Sequence, residues 1–370
     1  MIKPQHFIGL AVAAFLSVIA ALAVYASTNR WSNESIEGAA LVPGLSSKLA
    51  NVKAIEITQG GKTLTIAQGD KGWQLREKGG YPARLAAVRT LLLALADSKL
   101  VEPKTSLKDK LGLLELEDPA GKDAKSKRVR LLNGSNGVMA DLVFGKTHYD
   151  AFGSGRGGTY VRNANENQSW LATGDAKISS NITDWTDVSL FKVDKDDIEK
   201  VVLTPAGEKP IVIAKGPPPE PATPAPNKDE EKAKLEKSPT PPKAEKDKAK
   251  YHVVDMPAGE VLKKDARLDD IPDGFSLLEF DDVRKLDSTP VGNTVSVARI
   301  EDKDGLSLTF RVHKDGEDRW ISFTAEGKND KARKEAEALN DKAKGWEFKI
   351  PSWRGDLMAR THAELFEKKG

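Results

Sequence analysis

The chain lacks cysteine and carries no excess of charge of either sign. None of its 370 residues is a cysteine, which excludes a disulfide framework but leaves the cellular compartment open. The 57 basic and 55 acidic residues are interspersed and leave a formal net charge of only +2. Proteins that bind nucleic acids present a clustered basic face, so this balance argues against nucleic acid as a partner.

Catalytic motifs are also missing. No serine lies in a G-x-S-x-G turn and no phosphate-binding P-loop occurs. His252, His313 and His362 are scattered, without the spacing of metal ligands. The carboxylate pairs Asp269-Asp270 and Asp281-Asp282 are typical of loops and solvated sheet edges. The sequence therefore predicts a protein that is not an enzyme, with no catalytic residue, no cofactor and no metal ion.

One loop has the letters of a dinucleotide-binding motif. Gly153–Gly158 reads G-x-G-x-x-G, but such a loop must leave a strand and open a helix. Here it joins a strand ending at Phe144 to a strand containing Tyr160, which indicates a hairpin turn. His148 and Asp150 beside it are two potential metal ligands, which we interpret as solvated polar residues.

Long apolar runs are missing except at the N-terminus. Phe7–Tyr25 is a run of 19 uncharged residues, and a helix of this length extends about 28 Å, close to the thickness of a bilayer core. It predicts a single-pass anchor within residues 1–30. A cleaved signal peptide ending before Ser27 is the competing interpretation. With Lys3 retained in the cytoplasm, the body is expected in the periplasm.

Two stretches of the chain share one strand pattern. Val52–Thr58 alternates apolar and polar residues with the period of a half-buried strand, and the turn Gly60-Gly61 leads to a second strand at Leu64–Ala67. The same order returns at Ile198–Thr204 and Ile211–Ala214. The pattern predicts two similar units of antiparallel β-meanders.

The second unit is interrupted by an insert at residues 216–250. The insert is rich in proline, lysine and glutamate, and Leu235 is its one large aliphatic residue. Such a segment cannot bury enough apolar surface to offset the entropy lost on ordering it, which predicts disorder. A proline-rich spacer or docking strap is the functional alternative.

Helices complete the predicted fold. Apolar spacing predicts one helix per unit, at Ala83–Leu100 and Ala258–Leu268, a solvated helix within Ala325–Lys344, and a last helix at Leu357–Phe366. The predicted fold class is α+β: an N-terminal transmembrane helix followed by two similar units of antiparallel β-meanders, each with a packed helix. The predicted units span residues 31–192 and 193–370.

Several short motifs of the chain resemble a known family. The motifs are the Trp73 strand, Gly112-Leu113-Leu114, Phe144-Gly145, Tyr160-Val161-Arg162 and Asp184-Trp185. Their order is similar to that of the bacterial envelope proteins grouped as domain of unknown function 4340. The resemblance covers most of residues 50–215 and, more weakly, residues 251–366.

The resemblance implies a function without catalysis. Members of that family are often associated with auxiliary components of ABC-type transport systems, such as those linked to gliding motility. We therefore expect a membrane-anchored scaffold or adaptor at the bacterial inner membrane, an accessory subunit of a transport or envelope complex. The alternative is an extracytoplasmic module that binds a glycan or lipid.

Aromatic residues around the glycine-rich loop form the candidate interaction surface. Its members are Tyr149, Phe152, Tyr160, Arg162, Trp170 and Trp185. Aromatic faces beside polar side chains are suited to glycans or to a partner's surface. In the competing interpretation, Tyr160 and Trp170 are cross-strand neighbours that face a core.

Overall fold

Strands dominate the chain, as the alternating sequence pattern predicts. The computed structural model describes residue 17 and residues 38–153, 155–174, 176–216, 251–286 and 292–369. The chain divides into two units. The first comprises residues up to Glu77 together with Pro82–Asp184, and the second comprises Lys78–Tyr81 together with the residues from Trp185 onward.

The first unit is built on one sheet of ten strands, all of whose residues belong to this unit except Tyr81. Numbered along the chain, they are β1 (Ala39–Ala40), β2 (Ala54–Gln59), β3 (Lys62–Gly69), β4 (Gly72–Leu75), β5 (Tyr81–Pro82), β6 (Lys99–Pro103), β7 (Lys127–Leu132), β8 (Val138–His148), β9 (Gly158–Asn163) and β10 (Ser169–Thr173). Their order is β1-β6-β10-β9-β8-β7-β2-β3-β4-β5. Helix α1 (Leu85–Asp97) joins β5 to β6. Short 3-10 helices span Ser46–Asn51, Arg76–Lys78, Lys108–Leu114 and Ile182–Asp184.

Alternation gives this sheet one strongly apolar face. Ile55 of β2 pairs with Ile66 of β3 and Leu131 of β7, and Ile57 pairs with Val129. All five are fully buried. Because paired residues of an antiparallel sheet point to the same side, they form one continuous apolar surface. Helix α1, confirmed where the apolar spacing predicts it, adds a buried stripe of Val88, Leu91, Leu92 and Leu95.

The 3-10 helix Lys108–Leu114 lies very close to strand β8. A Cβ atom at Gly145 would lie 2.1 Å from the carbonyl oxygen of Leu114 and 3.0 Å from that of Glu115. No side chain fits there, so the close approach requires glycine. Beside this contact, a small apolar cluster is formed by Leu111, Leu116 and Val143.

The second unit contains an antiparallel sheet of eight strands and a separate sheet of two. Its strands are β11 (Ile198–Pro205), β12 (Ile211–Lys215), β13 (Tyr251–Val253), β14 (Glu260–Leu262), β15 (Asp282–Lys285), β16 (Asn293–Asp302), β17 (Leu306–Asp315), β18 (Asp318–Gly327), β19 (Trp346–Ile350) and β20 (Phe366–Lys368). The large sheet has the order β13-β12-β11-β16-β17-β18-β19-β15, and β14 pairs with β20. Its helices are α2 (Asp330–Ala343), α3 (Ser352–Met358) and α4 (His362–Leu365), with 3-10 helices at Lys195–Asp197 and Leu268–Gly274.

Phenylalanines fill the centre of the second unit. Phe310 of β17 pairs with Phe323 of β18, and their ring centroids lie 5.8 Å apart. The ring of Phe348 on β19 lies 6.1 Å from that of Phe323, and the ring of Phe275 lies 5.5 Å from that of Phe310. This face of the sheet is therefore the core, and the residues that alternate with these phenylalanines point to the opposite face.

Helix α2 lies along β18 and takes the place of a strand partner there. The Asn329 side chain caps the helix by accepting a hydrogen bond from the backbone N–H of Ala332 (2.9 Å). Strand β19 pairs with β18 only over Arg319–Ile321. Farther along, Ala325 N donates to Asn340 Oδ1 (2.8 Å), and Asn340 Nδ2 donates to Ala325 O (2.9 Å). One side-chain amide thus satisfies both backbone groups of Ala325.

The predicted membrane-spanning helix is corrected by the structure. Within the part of the chain that the structure describes, no helix is both long and apolar enough to cross a membrane. The longest of these helices, α2, has 14 residues and many charged side chains. The predicted anchor, Phe7–Tyr25, lies outside the described residues except for Ser17. The transmembrane helix of the predicted fold class and the single-pass inner-membrane localisation are therefore wrong for this structure, whose units are mostly antiparallel sheet.

The predicted helix at Ala258–Leu268 is also wrong. Gly259 has a φ of +80° and Arg267 a φ of +39°, whereas every residue of an α-helix needs a φ near −63°. The segment instead forms strand β14 and leads into the 3-10 helix Leu268–Gly274. The predicted last helix, Leu357–Phe366, is divided between α3 and α4.

Three features of the predicted domain organisation stay predictions. The insert at residues 216–250 lies outside the described residues except for Gly216. The unit limits 31–192 and 193–370 and the relation of the two units by duplication likewise stay predictions.

Candidate functional site

The glycine-rich loop connects β8 to β9 as a hairpin, as the sequence predicts. Asp150 Oδ1 accepts a hydrogen bond from the N–H of Gly155 (3.0 Å). Phe152 N donates to Arg156 O (3.1 Å), and Arg156 Nη2 donates back to Phe152 O (3.1 Å). A Cβ atom at Gly158 would come within 2.8 Å of the Phe152 ring, so the ring lies over this glycine. The loop is held by its own contacts.

Tyr160 and Trp170 lie on opposite faces of the sheet. In the register of β9 and β10, Tyr160 pairs with Leu171, and Trp170 pairs with Val161. Because successive residues of a strand point to opposite sides, the two aromatic rings do not share a surface. Tyr160 packs against the cluster of Leu111, Leu116 and Val143.

Arg162 is buried and binds backbone carbonyl groups. Its Nε donates to Leu116 O (3.0 Å), and its Nη1 donates to Ala164 O (2.9 Å), Asn163 O (3.2 Å) and Glu166 O (3.2 Å). Burial lowers the pKa of the guanidinium. These contacts fix the turn after β9 and leave the guanidinium little capacity for an outside ligand.

The exposure of the six predicted residues differs widely. Tyr149 is 79% exposed, whereas Trp185 is 3% exposed and belongs to the second unit. Phe152, Tyr160 and Trp170 are partly buried. An interaction surface made of these residues stays a prediction, and Tyr149 is the member best placed to serve it.

An apolar groove lies on the first unit between α1 and the 3-10 helix Ser46–Asn51. Its volume is about 390 Å³. Gln68 and Trp73, a cross-strand pair of β3 and β4, contribute to its wall and share a sheet face with Ile66 and Leu75. The groove therefore continues from the apolar side of the sheet to the surface.

Two leucines of α1 border this groove while remaining open to solvent. Leu85 is 45% exposed and Leu93 is 51% exposed, although Val88 between them is buried. With Arg89, these leucines are spaced by four residues, which places all three on one side of the helix. The first unit thus presents two apolar side chains that its own core does not cover.

The charged side chains that line the groove are basic. Lys53 Nζ donates a hydrogen bond to Gln68 Oε1 (2.8 Å). The Arg89 side chain is exposed and forms no hydrogen bond or ion pair with any described residue. The groove has no aspartate or glutamate in its described lining. An occupant with apolar side chains and a nearby carboxylate would complement it.

Sequence reasoning missed the groove, although α1 contains a signal. The helix reads LAAVRTLLLALAD, with more apolar residues than one buried stripe can hold. A helix with an apolar surface this broad either is buried on several sides or offers part of that surface to a partner. The sequence did not distinguish these cases.

A buried polar network lies on the second unit, on the sheet face opposite the phenylalanines. The Glu347 side chain is 2% exposed and accepts a hydrogen bond from Arg284 Nε (2.8 Å). Arg284 Nη1 donates to Asp315 Oδ2 (3.0 Å), and its guanidinium lies 3.9 Å above the centre of the Trp320 ring. One arginine thus neutralises a carboxylate that is removed from water.

His313 completes this network and is itself 1% exposed. Its Nδ1 lies 3.1 Å from Thr294 Oγ1, and its Nε2 lies 3.6 Å from Glu347 Oε1. Neither Nε2 nor Oε1 has a hydrogen-bond partner among the described residues. Burial lowers the pKa of His313; Glu347 opposes this shift, and Arg284 and Arg311 add to it.

The second unit should lose stability as the pH falls below 6.5, the ordinary histidine pKa. Because the folded-state pKa of His313 is lowered, the unfolded chain binds a proton in a range where the folded unit does not. The contribution of neutral His313 to the stability of the second unit is fully present above pH 6.5. It is lost as the pH falls toward the folded-state pKa, at no more than about 1.4 kcal/mol per pH unit. Native-state hydrogen exchange of the β17 amides, corrected for intrinsic exchange rates, measures this loss.

A matched histidine variant separates this effect from others. His313→Gln should remove most of the pH dependence, whereas His148→Gln, an exposed position in the first unit, should preserve it. The lowered pKa values of Glu208 and Glu301 also favour stability at higher pH, but they act below their ordinary value of 4.5. An unchanged slope in His313→Gln would contradict the assignment.

No described residues form a group of three or more His, Cys, Asp or Glu side chains that could hold a metal ion.

One protein family matches the chain. A family model described as a domain of unknown function, DUF4340, matches residues 73–290, more than half of the chain. No curated protein and no solved structure matches the chain.

Proposed function

We propose that this chain, which belongs to the DUF4340 family, is a non-catalytic adaptor that binds a segment of a partner protein in the groove beside α1. The observation that carries the proposal is the exposure of Leu85 and Leu93 at 45% and 51% on either side of Arg89. Apolar side chains grouped on a surface and bordered by charge are typical of protein contacts.

The chemistry of the groove describes the partner segment. Burial of a leucine side chain contributes about 1.5–3 kcal/mol, so two half-exposed leucines offer useful affinity to a matching apolar segment. Arg89, which has no ion pair with a described residue, favours an aspartate or glutamate beside the apolar anchors. An amphipathic helix with anchors three or four residues apart meets both requirements.

The partner that we propose is an ABC-type transporter. The association of family members with ABC-type transport systems supports an accessory subunit of such a transporter. A photo-crosslinking residue placed at Leu93 in cells tests this point. An adduct with a transporter subunit would support a transporter as the partner. An adduct only with unrelated proteins would refute the transporter as the partner while leaving the adaptor function open.

Glycan or lipid binding stays the alternative proposal. Its support is the 79% exposure of Tyr149 on a loop held in place by Phe152 and Arg156. Loss of glycan or lipid binding in Tyr149→Ala, with the groove variants unaffected, would favour this alternative over the adaptor.

We expect Leu93→Ala to weaken partner binding by about tenfold, because the loss of one buried leucine costs about 1.5 kcal/mol or more. Peptides selected from a displayed random library against the full chain should carry paired apolar anchors and an acidic residue. Fluorescence polarisation with the best peptide gives the affinity of each variant. Alanine favours helices, so the variant should fold normally.

The matched control is Leu113→Ala, at a position 67% exposed in the first unit and outside the groove. This variant should bind the selected peptide as tightly as the unchanged protein does. Equal weakening in both variants, or selection of peptides without a shared apolar pattern, would contradict the groove as the binding site.

A further inference from the structure

We infer that a cavity in the second unit binds an organic anion, a carboxylate or phosphate with an apolar body. The cavity has a volume of about 440 Å³, within the usual range for small-molecule sites. Its polar lining lies on the same sheet face as His313, and Phe323, at the edge of the phenylalanine core, also borders it. The inference does not depend on the proposed adaptor function, because the groove lies in the other unit.

Two cross-strand pairs build the polar wall of the cavity. Thr309 of β17 pairs with Thr324 of β18, and Arg311 pairs with Ser322. Paired residues share a face, so one guanidinium and three hydroxyl groups stand in two adjacent rows. Within the described part of the chain, Ser322 and Thr324 have no side-chain hydrogen bond, so their O–H groups are available to a ligand.

The charge of the cavity is positive. Arg311 and Lys344 are exposed, line the cavity, and form no ion pair with a described residue. No aspartate or glutamate belongs to the described lining. Glu347, behind His313, is already neutralised by Arg284. A guanidinium matches a carboxylate or phosphate in a bidentate arrangement, so an anion is the ligand that this wall selects.

The rest of the cavity is apolar. Leu286, which follows β15, and Ala343, at the end of α2, line it together with Phe323. His313 lies in the wall with its Nε2 buried and without a hydrogen-bond partner among the described residues. A purely charged ligand would leave this apolar surface uncovered. An anion attached to a short aliphatic body covers it and reaches Arg311 at the same time.

Calorimetric titration of the full chain with four eight-carbon probes tests the inference. Octanoate and octyl phosphate carry the two anionic groups, octanol is the neutral match, and octylamine is the cation. We expect at least one anion to bind about tenfold or more tightly than octanol, and octylamine to bind least. The stronger of the two anions identifies the head group. On binding, hydrogen exchange of β17 and β18 amides should slow.

Arg311→Ala should weaken the binding of the preferred anion by about tenfold, and Arg311→Lys should retain part of it. Because Arg311 is exposed and forms no ion pair with a described residue, both variants should fold. Arg333→Ala, an exposed arginine on α2 outside the cavity, is the matched control and should bind normally. Absence of anion binding, equal binding of octanol, or unchanged affinity in Arg311→Ala would overturn the inference.

Discussion

Replacing Arg284 with methionine should lower the free energy of unfolding of the second unit by about 4 kcal/mol. The substitution keeps an apolar stem over the Trp320 ring but removes the partner of Glu347, whose side chain is 2% exposed. A buried carboxylate would then face His313, which is uncharged near neutral pH because burial lowers its pKa. Denaturant titration followed by hydrogen exchange of β17 amides measures the loss.

The control for this variant is Arg299→Met. Arg299 forms an ion pair with Glu326, but the two side chains are 36% and 70% exposed. Water screens such a pair, so its loss should cost less than about 1 kcal/mol. If both variants lower the free energy of unfolding by the same amount, the burial of Glu347 is not the reason that Arg284 stabilises the second unit.

A double variant tests whether the network stabilises the fold or only tolerates its own charges. Arg284→Met combined with Glu347→Leu removes both buried charges, and we expect it to recover most of the stability lost in the single variant. Failure to recover would mean that the hydrogen bonds of the network, rather than its charge balance, hold β15 against β19.

Gly145→Ala should lower the free energy of unfolding of the first unit by about 3 kcal/mol. The added methyl group would lie 2.1 Å from the carbonyl oxygen of Leu114, a backbone atom that cannot turn aside as a side chain can. Strand β8 and the 3-10 helix Lys108–Leu114 must separate to admit it. Differential scanning calorimetry should therefore show a lower unfolding temperature for this unit.

Gly112→Ala is the matched control within the same 3-10 helix. A Cβ atom at Gly112 meets nothing within 4 Å, so the variant should stay within about 0.5 kcal/mol of the unchanged protein. A large loss at Gly112 would show that the 3-10 helix is sensitive to any substitution. The loss of stability in Gly145→Ala would then say little about the contact between this 3-10 helix and β8.

The contact between Gly145 and Leu114 gives a physical explanation for the motifs that resemble the family. Phe144-Gly145 and Gly112-Leu113-Leu114 are separated by about thirty residues in the sequence, and the structure places Gly145 against Leu114. Arg162, from a third motif, donates a hydrogen bond to Leu116 O just beyond the same 3-10 helix. These motifs describe how one segment is fixed to the sheet.

Local periodicity was enough to predict strands such as β2, β3, β11 and β12, and the helices α1 and α2. Ile55 and Ile57 alternate with polar residues because one face of β2 is buried, and that signal is contained in six consecutive residues. The helix α1 is equally local. The predicted helix at Ala258–Leu268 failed because its apolar spacing was read without the left-handed conformation that Gly259 and Arg267 adopt.

The candidate site could not be predicted from local sequence patterns, because it depends on strand register and on what the rest of each unit covers. Whether Tyr160 and Trp170 share a face depends on the register of β9 and β10, and a shift of one residue would reverse the answer. His313 and Glu347 meet only because strands β17, β18 and β19 are aligned as they are. The exposure of Leu85 and Leu93 depends on what the rest of the unit leaves uncovered.

The two hydrogen bonds between Asn340 and Ala325 also bear on how the molecule avoids its own copies. Strand β18 is ten residues long and is paired with β19 over only three of them, so a stretch of its backbone faces away from the sheet. Free N–H and C=O groups in such a stretch would recruit a strand from another molecule. An asparagine on the neighbouring helix occupies these groups at Ala325, and the start of intermolecular sheet growth is blocked at that residue by a single amide.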